Sequence, residues 1–253
     1  MFYVNKNKSL NLLEDLIKQN LNKKLDDYMS ESLNLKFKEA LELFQKRVFL
    51  EQVVEECTAF NKKQNWNDTL IHLTLATTVE DLIEVFKLRS EVYTSIDYQD
   101  EFPDTLEGLN FDIYDTVSAV ICYKNSGKIT GTTRLIFDSP HKLPSEEKFS
   151  FDTVRKQYPK IGELSRLIAK NSTQGLGMEF KNLMKGAYWF FMLNDIDITL
   201  LGIKKEHYKL YSRFGGSKII AELGNYGKLD LEALILTWNP SEVSDFFKRS
   251  FLK

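Results

Sequence analysis

The sequence predicts a mixed α/β sheet over one core, preceded by a helical hairpin. Three observations carry that prediction. From residue 70 onward, short β-type runs alternate with single helical stretches, the pattern of one mixed sheet with helices packed on it. The first 60 residues instead repeat apolar positions at helical spacing and contain no Gly or Pro. The third is the segment Gly162 to Lys170, an apolar run of central-strand character that holds Glu163 and Arg166 in its interior.

In the hairpin, Leu10, Leu13, Ile17, Leu21 and Leu25 make one stripe over Ser9 to Tyr28. Leu33, Phe37, Leu41, Phe44, Val48 and Val54 make a second from Glu31 to Phe60. Such stripes need covering by the main domain, by a partner, or by the same helices of a homodimer. A membrane-surface anchor is disfavoured because the polar faces mix both signs of charge. Asn61 to Asp68 is a polar break, which divides the chain into an extension, 1–65, and a main domain, 66–253.

The main domain starts with an alternating strand, Leu70 to Ala76. Thr77 and Thr78 ahead of Glu80 and Asp81 signal a capped helix to about Thr94, with Val79, Leu82, Ile83, Phe86 and Tyr93 inside. Ser95 to Asn110 is acidic and irregular and reads as a mobile loop over a site. Val117 to Tyr123 and Lys128 to Phe137 form a hairpin about Asn125-Ser126-Gly127. A long connection, helical near 151–157, leads to the central strand. A helix to about Asn194 follows, almost apolar all round. Tyr188 to Phe191 on it would line an acyl tunnel or, the better reading, pack in the core. Strands over 197–203, 217–221 and 231–238, a short helix over 206–214 and a closing helix from Pro240 complete the pattern.

Composition bounds the function. With 34 basic and 36 acidic residues the net charge is −2, so no global field recruits nucleic acid or an anionic membrane. Two distant cysteines and three histidines show no metal spacing, which also fits a reducing compartment. Neither a signal-peptide core nor a run near ~18 uncharged apolar residues is present, so the expected location is the cytoplasm, without a transmembrane segment.

A charge inside an apolar strand costs several kcal/mol unless it meets a partner. Arg89 falls on the inner stripe of its helix, Arg134 on a strand face with Thr130, Thr132 and Ile136, and Arg166 in the central strand. Asp112, Asp115 and Glu163 occupy similar contexts. Three arginines and three acids can be buried together as a hydrogen-bonded network, and such a network is inferred. Glu163 and Arg166 are either an ion pair that fixes register or two groups of one site. Three residues apart, they face one site only if a β-bulge lies between them.

Gly175 and Gly177 precede a helix whose N-terminus can hold phosphate, although such glycines are more often structural. Lys170, Lys181 and Lys185 nearby would meet a diphosphate or an acidic carrier protein, or simply face solvent. Tyr211, one helical turn before Gly215, can protonate a leaving group if it points at the site and is otherwise a half-buried structural tyrosine.

Leu88-Arg89-Ser90-Glu91-Val92-Tyr93, Phe111-Asp112-Ile113-Tyr114-Asp115, Gly131-Thr132-Thr133-Arg134-Leu135 and Glu163-Leu164-Ser165-Arg166, in that order, carry a resemblance. Over roughly 70–240 the chain resembles the autoinducer-synthase branch of the GNAT acyltransferase superfamily, which includes acyl-homoserine-lactone synthases and N-acyl amino acid synthases. That resemblance implies a mostly antiparallel central sheet flanked by helices. It also implies transfer of a fatty acyl group from a thioester to the amine of an amino acid or similar small amine. Arg89, Asp112, Asp115 and Arg134 would bind substrate, Glu163 would be the general base and Arg166 would order the donor or its carbonyl. Tyr211 would be the general acid, and Ser172, Gly175, Leu176 and Gly177 would hold the acyl donor. No permanent cofactor is implied: the co-substrate is an acyl carrier protein thioester or acyl-coenzyme A.

Two positions depart from that branch. Asn110 stands where homoserine-lactone synthases usually carry an acid, which counts against their chemistry with S-adenosylmethionine. Ser172 stands where the pyrophosphate loop begins with Gln or Arg, which weakens coenzyme A-dependent acetyl transfer and keeps acyl carrier protein open as the donor beside coenzyme A. A non-catalytic acyl-carrier or lipid-binding module is the remaining alternative.

Overall fold

Among the described residues, seven strands, β1 (Leu73–Leu75), β2 (Ser118–Asn125), β3 (Lys128–Phe137), β4 (Ile161–Ala169), β5 (Ile198–Lys204), β6 (Ser217–Leu223) and β7 (Ala233–Trp238), pair in the order β1-β2-β3-β4-β5-β7-β6. Only β4 and β5 run parallel; the other neighbours are antiparallel. This computed structural model describes residues 31–170 and 177–253, with side chains from residue 38 onward. The helix expected over 9–28 lies outside the described residues, as do Ser172, Gly175 and Leu176. The chain divides into two compact units, Met1–Glu51 and Gln52–Lys253. No helix among the described residues is long and apolar enough to cross a membrane.

The helices are α1 (Glu31–Asn61), α2 (Val79–Ser95), α3 (Asp152–Gln157), α4 (Met178–Leu193), α5 (Tyr208–Tyr211) and α6 (Asp245–Phe251). Within the second unit the last turns of α1 bury Val53, Cys57 and Asn61, and Asn61 donates to the carbonyl of Ser118 while accepting from the N–H of Val120. The helix is thereby stapled to the first residues of β2. Thr78 caps α2 by accepting the N–H of Asp81, as the sequence signals. The hairpin β2–β3 turns through Ser126 and Gly127, both at positive φ (50° and 79°), the backbone that a two-residue turn requires. Strand β1 is shorter than its alternating pattern because the chain turns at Leu70, whose N–H is bonded to Asn67 and whose carbonyl accepts the N–H of Leu73, where the strand begins.

On one face of the sheet Leu135, Leu164, Leu201 and Leu236 pack with Phe190 and Phe191 of α4. On the other, Ile136, Ile161, Leu200 and Ile235 pack with Leu143 and Phe151. Phe190 stands edge-on to Phe137 at 5.8 Å and Phe191 edge-on to Trp238 at 6.3 Å, so this stretch of α4 is core. Burying an aromatic on each side contributes to a rigid platform under β4.

β4 is where the sheet opens. Its parallel pairing with β5 covers only Ile161–Leu164 against Ile198–Leu201, although both strands continue. On the other edge, Thr132 opposes Ile168 while Arg134 opposes Ser165, so β4 holds one extra residue there. That residue is a bulge at Arg166, whose φ is +53°. The bend turns β4 away from β5 and leaves the edge of Ser165–Ala169 without a β5 partner.

Candidate active site

The opened edge borders a cavity of about 750 Å³, a size that suits a small-molecule site. Its wall holds charged groups (Asp112, Arg134, Glu163, Arg166) together with apolar ones such as Phe180 and Leu201. None of Tyr188 to Phe191 lines it.

Five of the six charges singled out in the sequence form one alternating ladder. Asp115 accepts from Arg89 Nη1 on both oxygens, at 2.9 and 3.1 Å, and lies 3.2 Å from Arg134 Nη1. Arg134 Nη1 also donates to Asp112, whose other oxygen accepts from Arg166 Nη2 at 3.0 Å. Arg89, Asp115 and Arg134 are almost fully buried. Local sequence sets the two acids: Asp112 accepts the N–H of Tyr114, and Asp115 reaches back to the N–H of Asp112, a reciprocal cap on the turn Ile113–Val117. Burial alone would raise the carboxyl pKa of Asp112, but Arg134 and Arg166 outweigh it and hold Asp112 well below the usual range.

Glu163 stands apart from this ladder. A buried ion pair of Glu163 with Arg166 was one reading of the strand, and the structure replaces it. Glu163 instead accepts from Ser145, at 3.1 Å from its N–H and 2.8 Å from its hydroxyl, while Arg166 turns to Asp112 and Asn110. The bulge brings both residues to the cavity wall without bringing them together. Burial pushes the Glu163 carboxyl up to about 7, against the donations from Ser145 and the charges of Arg134 and Lys148. A carboxyl so placed takes up and releases a proton near neutral pH, which is what a general base needs.

Arg166 lies under two rings, Phe102 at 4.4 Å and Tyr93 at 5.3 Å from its guanidinium carbon. Tyr211 reaches the cavity wall beside Phe180, and burial pushes its phenol up to about 12, so it stays protonated at neutral pH. Gly177 is the N-cap of α4. Lys170 is spent on a surface pair with Glu91 at 2.7 Å.

The acidic segment after α2 reads as mobile in the sequence, but the structure ties it down. Asp104 accepts from Ser90, Phe102 packs on Tyr93, and Glu101 pairs with Lys148. Asn110 is the main tie: its amide donates to the carbonyls of Phe102 and Pro103 at 2.8 and 2.9 Å while its oxygen accepts from Arg166. An aspartate cannot make the two donations. Asn110→Asp therefore loosens the segment at a cost of about 1–3 kcal/mol per buried carbonyl left unpaired. Hydrogen exchange should speed up at residues 98–106; unchanged exchange there would show that Asn110 is not the tie.

Ser145, Lys148, Glu101 and Tyr226 are site-lining or site-supporting residues that sequence reasoning missed. Glu101 lies in the acidic segment read as a loop over a site but was not singled out there, and Ser145, Lys148 and Tyr226 sit in loops of ordinary polar composition.

Against known proteins, the profile of the family described as N-acyl amino acid synthase FeeM matches residues 84–239, more than half of the chain. Among solved structures, FeeM, an N-acyl amino acid synthase from uncultured soil microbes, is 16% identical, with 71% of this chain and 93% of that one covered and a TM-score of 0.54. The AHL synthase LasI is 18% identical, with 71% and 94% covered and a TM-score of 0.50. At these identities the two show the fold. No curated protein sequence matches the chain significantly.

Proposed function

Because this chain belongs to the FeeM family of N-acyl amino acid synthases, an N-acyltransferase family, we propose a mechanism in which Glu163 is the base of amide formation. The reaction moves a fatty acyl group from a thioester to the amine of an amino acid or similar small amine. The acceptor's nitrogen attacks the thioester carbonyl, the proton it sheds passes to Glu163, and the C–S bond then breaks. Tyr211 gives the departing thiolate its proton. Backbone N–H groups on the unpaired edge of β4 and the Arg166 guanidinium stabilise the oxyanion between the two steps. Arg89, Asp115, Arg134 and Asp112 hold the substrate wall in place through the ladder.

One observation carries this reading. Glu163 is buried, has no cation partner among the described residues, titrates near 7, and faces the cavity where β4 and β5 part. A carboxyl kept only for structure gains nothing from those conditions.

As donor we favour an acyl carrier protein thioester over acyl-coenzyme A. Lys181 and Lys185 lie on α4 close in sequence to Phe180, which lines the cavity, and suit an acidic carrier; Ser172, Gly175, Leu176 and Gly177 would hold the phosphopantetheine arm. The buried free thiols of Cys57 and Cys122 are in keeping with a cytoplasmic setting. The test supplies the purified chain with one fatty acyl chain on carrier protein or on coenzyme A, plus a mixture of amino acids, and reads products by mass spectrometry. N-acyl amino acids formed faster from the carrier-protein donor are expected. Free fatty acid alone, from either donor, would overturn the reading.

A further inference from the structure

An amino acid brings to the cavity a carboxylate on the same carbon as its amine. If the amine lies within hydrogen-bond reach of Glu163, the carboxylate lands in the immediate neighbourhood, and a desolvated carboxylate needs a cation. Among the described residues, five side chains able to carry positive charge line the cavity: Arg134, Lys148, Arg166, Lys204 and His207. Most are committed or misplaced. Arg134 is 1% exposed and spends its guanidinium on Asp112, Asp115 and Ser165. Arg166 is assigned above to the oxyanion, and Asp112, Asn110 and two rings hold it in that place. Lys204 and His207 are about half exposed, at 42% and 56%, and share Glu206.

Lys148 differs. It follows the same turn, Pro144–Glu147, that presents Ser145 to Glu163, and its own N–H is tied to the Ser145 carbonyl. Its ammonium is 2.8 Å from Glu101 and lies 4.6 Å over the Tyr226 ring, and the side chain as a whole is only 16% exposed. An ammonium has three donors; one goes to Glu101 and one side is covered by the ring, which leaves a donor for the cavity. Glu101 does not compete for that donor, because its other oxygen accepts the N–H of Lys228 at 2.8 Å. Gly227, at φ 61°, leaves the space the Glu101 carboxylate occupies: a Cβ there would lie 2.1 Å from it. Three loops thus converge to hold one half-shielded ammonium at the cavity that Glu163 also lines.

We propose that Lys148 binds the α-carboxylate of the acceptor, with Glu101 and Tyr226 as its positioning residues, so that the enzyme selects free amino acids over simple amines. This rests on the amide-forming reading above and extends it from the amine to the group beside it. Lys148 and Glu163 line the same cavity, and Ser145 joins them through the chain, donating to Glu163 from its N–H and hydroxyl while its carbonyl accepts the Lys148 N–H, so both belong to the site of one small substrate. The ladder adds to the attraction: three arginines against two aspartates leave one positive charge behind the same wall.

The test compares amino acids with their carboxamides as acceptors, in the full chain and in Lys148→Met, with the same acyl donor. Wild type is expected to prefer the acid. In Lys148→Met, kcat/KM for the acid should fall about 10- to 100-fold, mostly through KM, while the amide changes less than about threefold, the scale of one charge-assisted hydrogen bond. Glu101 loses its partner in that variant, so the double change Glu101→Gln with Lys148→Gln, which removes both charges, is measured beside it and should lose the same preference. Equal losses for acid and amide, or no loss, would overturn the assignment while leaving the acyltransferase reading intact. Wild type that acylates neither acceptor would overturn that reading, and this inference with it.

Discussion

Replacing Glu163 with Gln should abolish amide synthesis and, above pH 7, make the protein more stable. The two effects share one cause. As the base, the carboxylate contributes on the order of 10²- to 10⁴-fold to the rate, and a neutral amide of the same shape contributes none of that. As a buried acid with its carboxyl pushed up to about 7, Glu163 opposes folding whenever it is ionised. The folded protein holds this proton more tightly than the unfolded chain does. Its stabilising contribution is therefore fully present below about pH 4.5 and is lost as the pH rises through about 7. The deficit then amounts to roughly 3 kcal/mol.

Glu163→Gln escapes that loss. Its amide can accept the Ser145 N–H and donate to the Ser145 hydroxyl, so both contacts seen on the carboxylate have counterparts. Thermal unfolding of the two proteins from pH 5 to 8 should give midpoints that agree at the acid end and separate toward pH 8, the variant higher. In the wild type, kcat/KM should rise through an apparent pKa near 7. A variant that keeps its activity, or a midpoint difference that ignores pH, would remove Glu163 from the base's role.

How far the site was legible follows from where each charge lies in the chain. Glu163 and Arg166 stood out because an apolar strand does not tolerate a bare charge, and their three-residue spacing demanded a bulge if both were to face one site; the structure has one that begins at Arg166. The Thr78 cap, the hairpin turn and the apolar character of α4 are local and were equally readable. Partners were not. One of the two readings paired Glu163 with the arginine three residues away, whereas the structure gives it Ser145, 18 residues earlier in an irregular connection. Lys148 and Glu101 carry the same residue types as any solvated loop, and only their convergence with Tyr226 over the opened edge of β4 distinguishes them. Tertiary placement of loops has no periodicity to read.

The ladder behind that edge makes a second large effect testable. Asp115→Asn leaves Arg89, which is fully buried, without its counter-ion and takes one from Arg134. Breaking a buried pair in this way costs about 3–5 kcal/mol, or roughly 10 °C in a domain of this size. Removing both partners should cost far less. Arg89 Nε and Nη2 meet no acceptor among the described residues, so the pair carries an unmet desolvation cost that Arg89→Met with Asp115→Leu would relieve. Activity should not return with stability. Asp115 also holds the Asp112 N–H at 3.0 Å and Arg134 at 3.2 Å, so the double variant frees the turn that aims Asp112 at Arg166. A double-mutant cycle in urea, with kcat/KM measured on each protein, should show a coupling energy of several kcal/mol in stability beside a rate that stays low. Additive stabilities would mean that the ladder is not a unit, and restored activity would mean that it does not position the site.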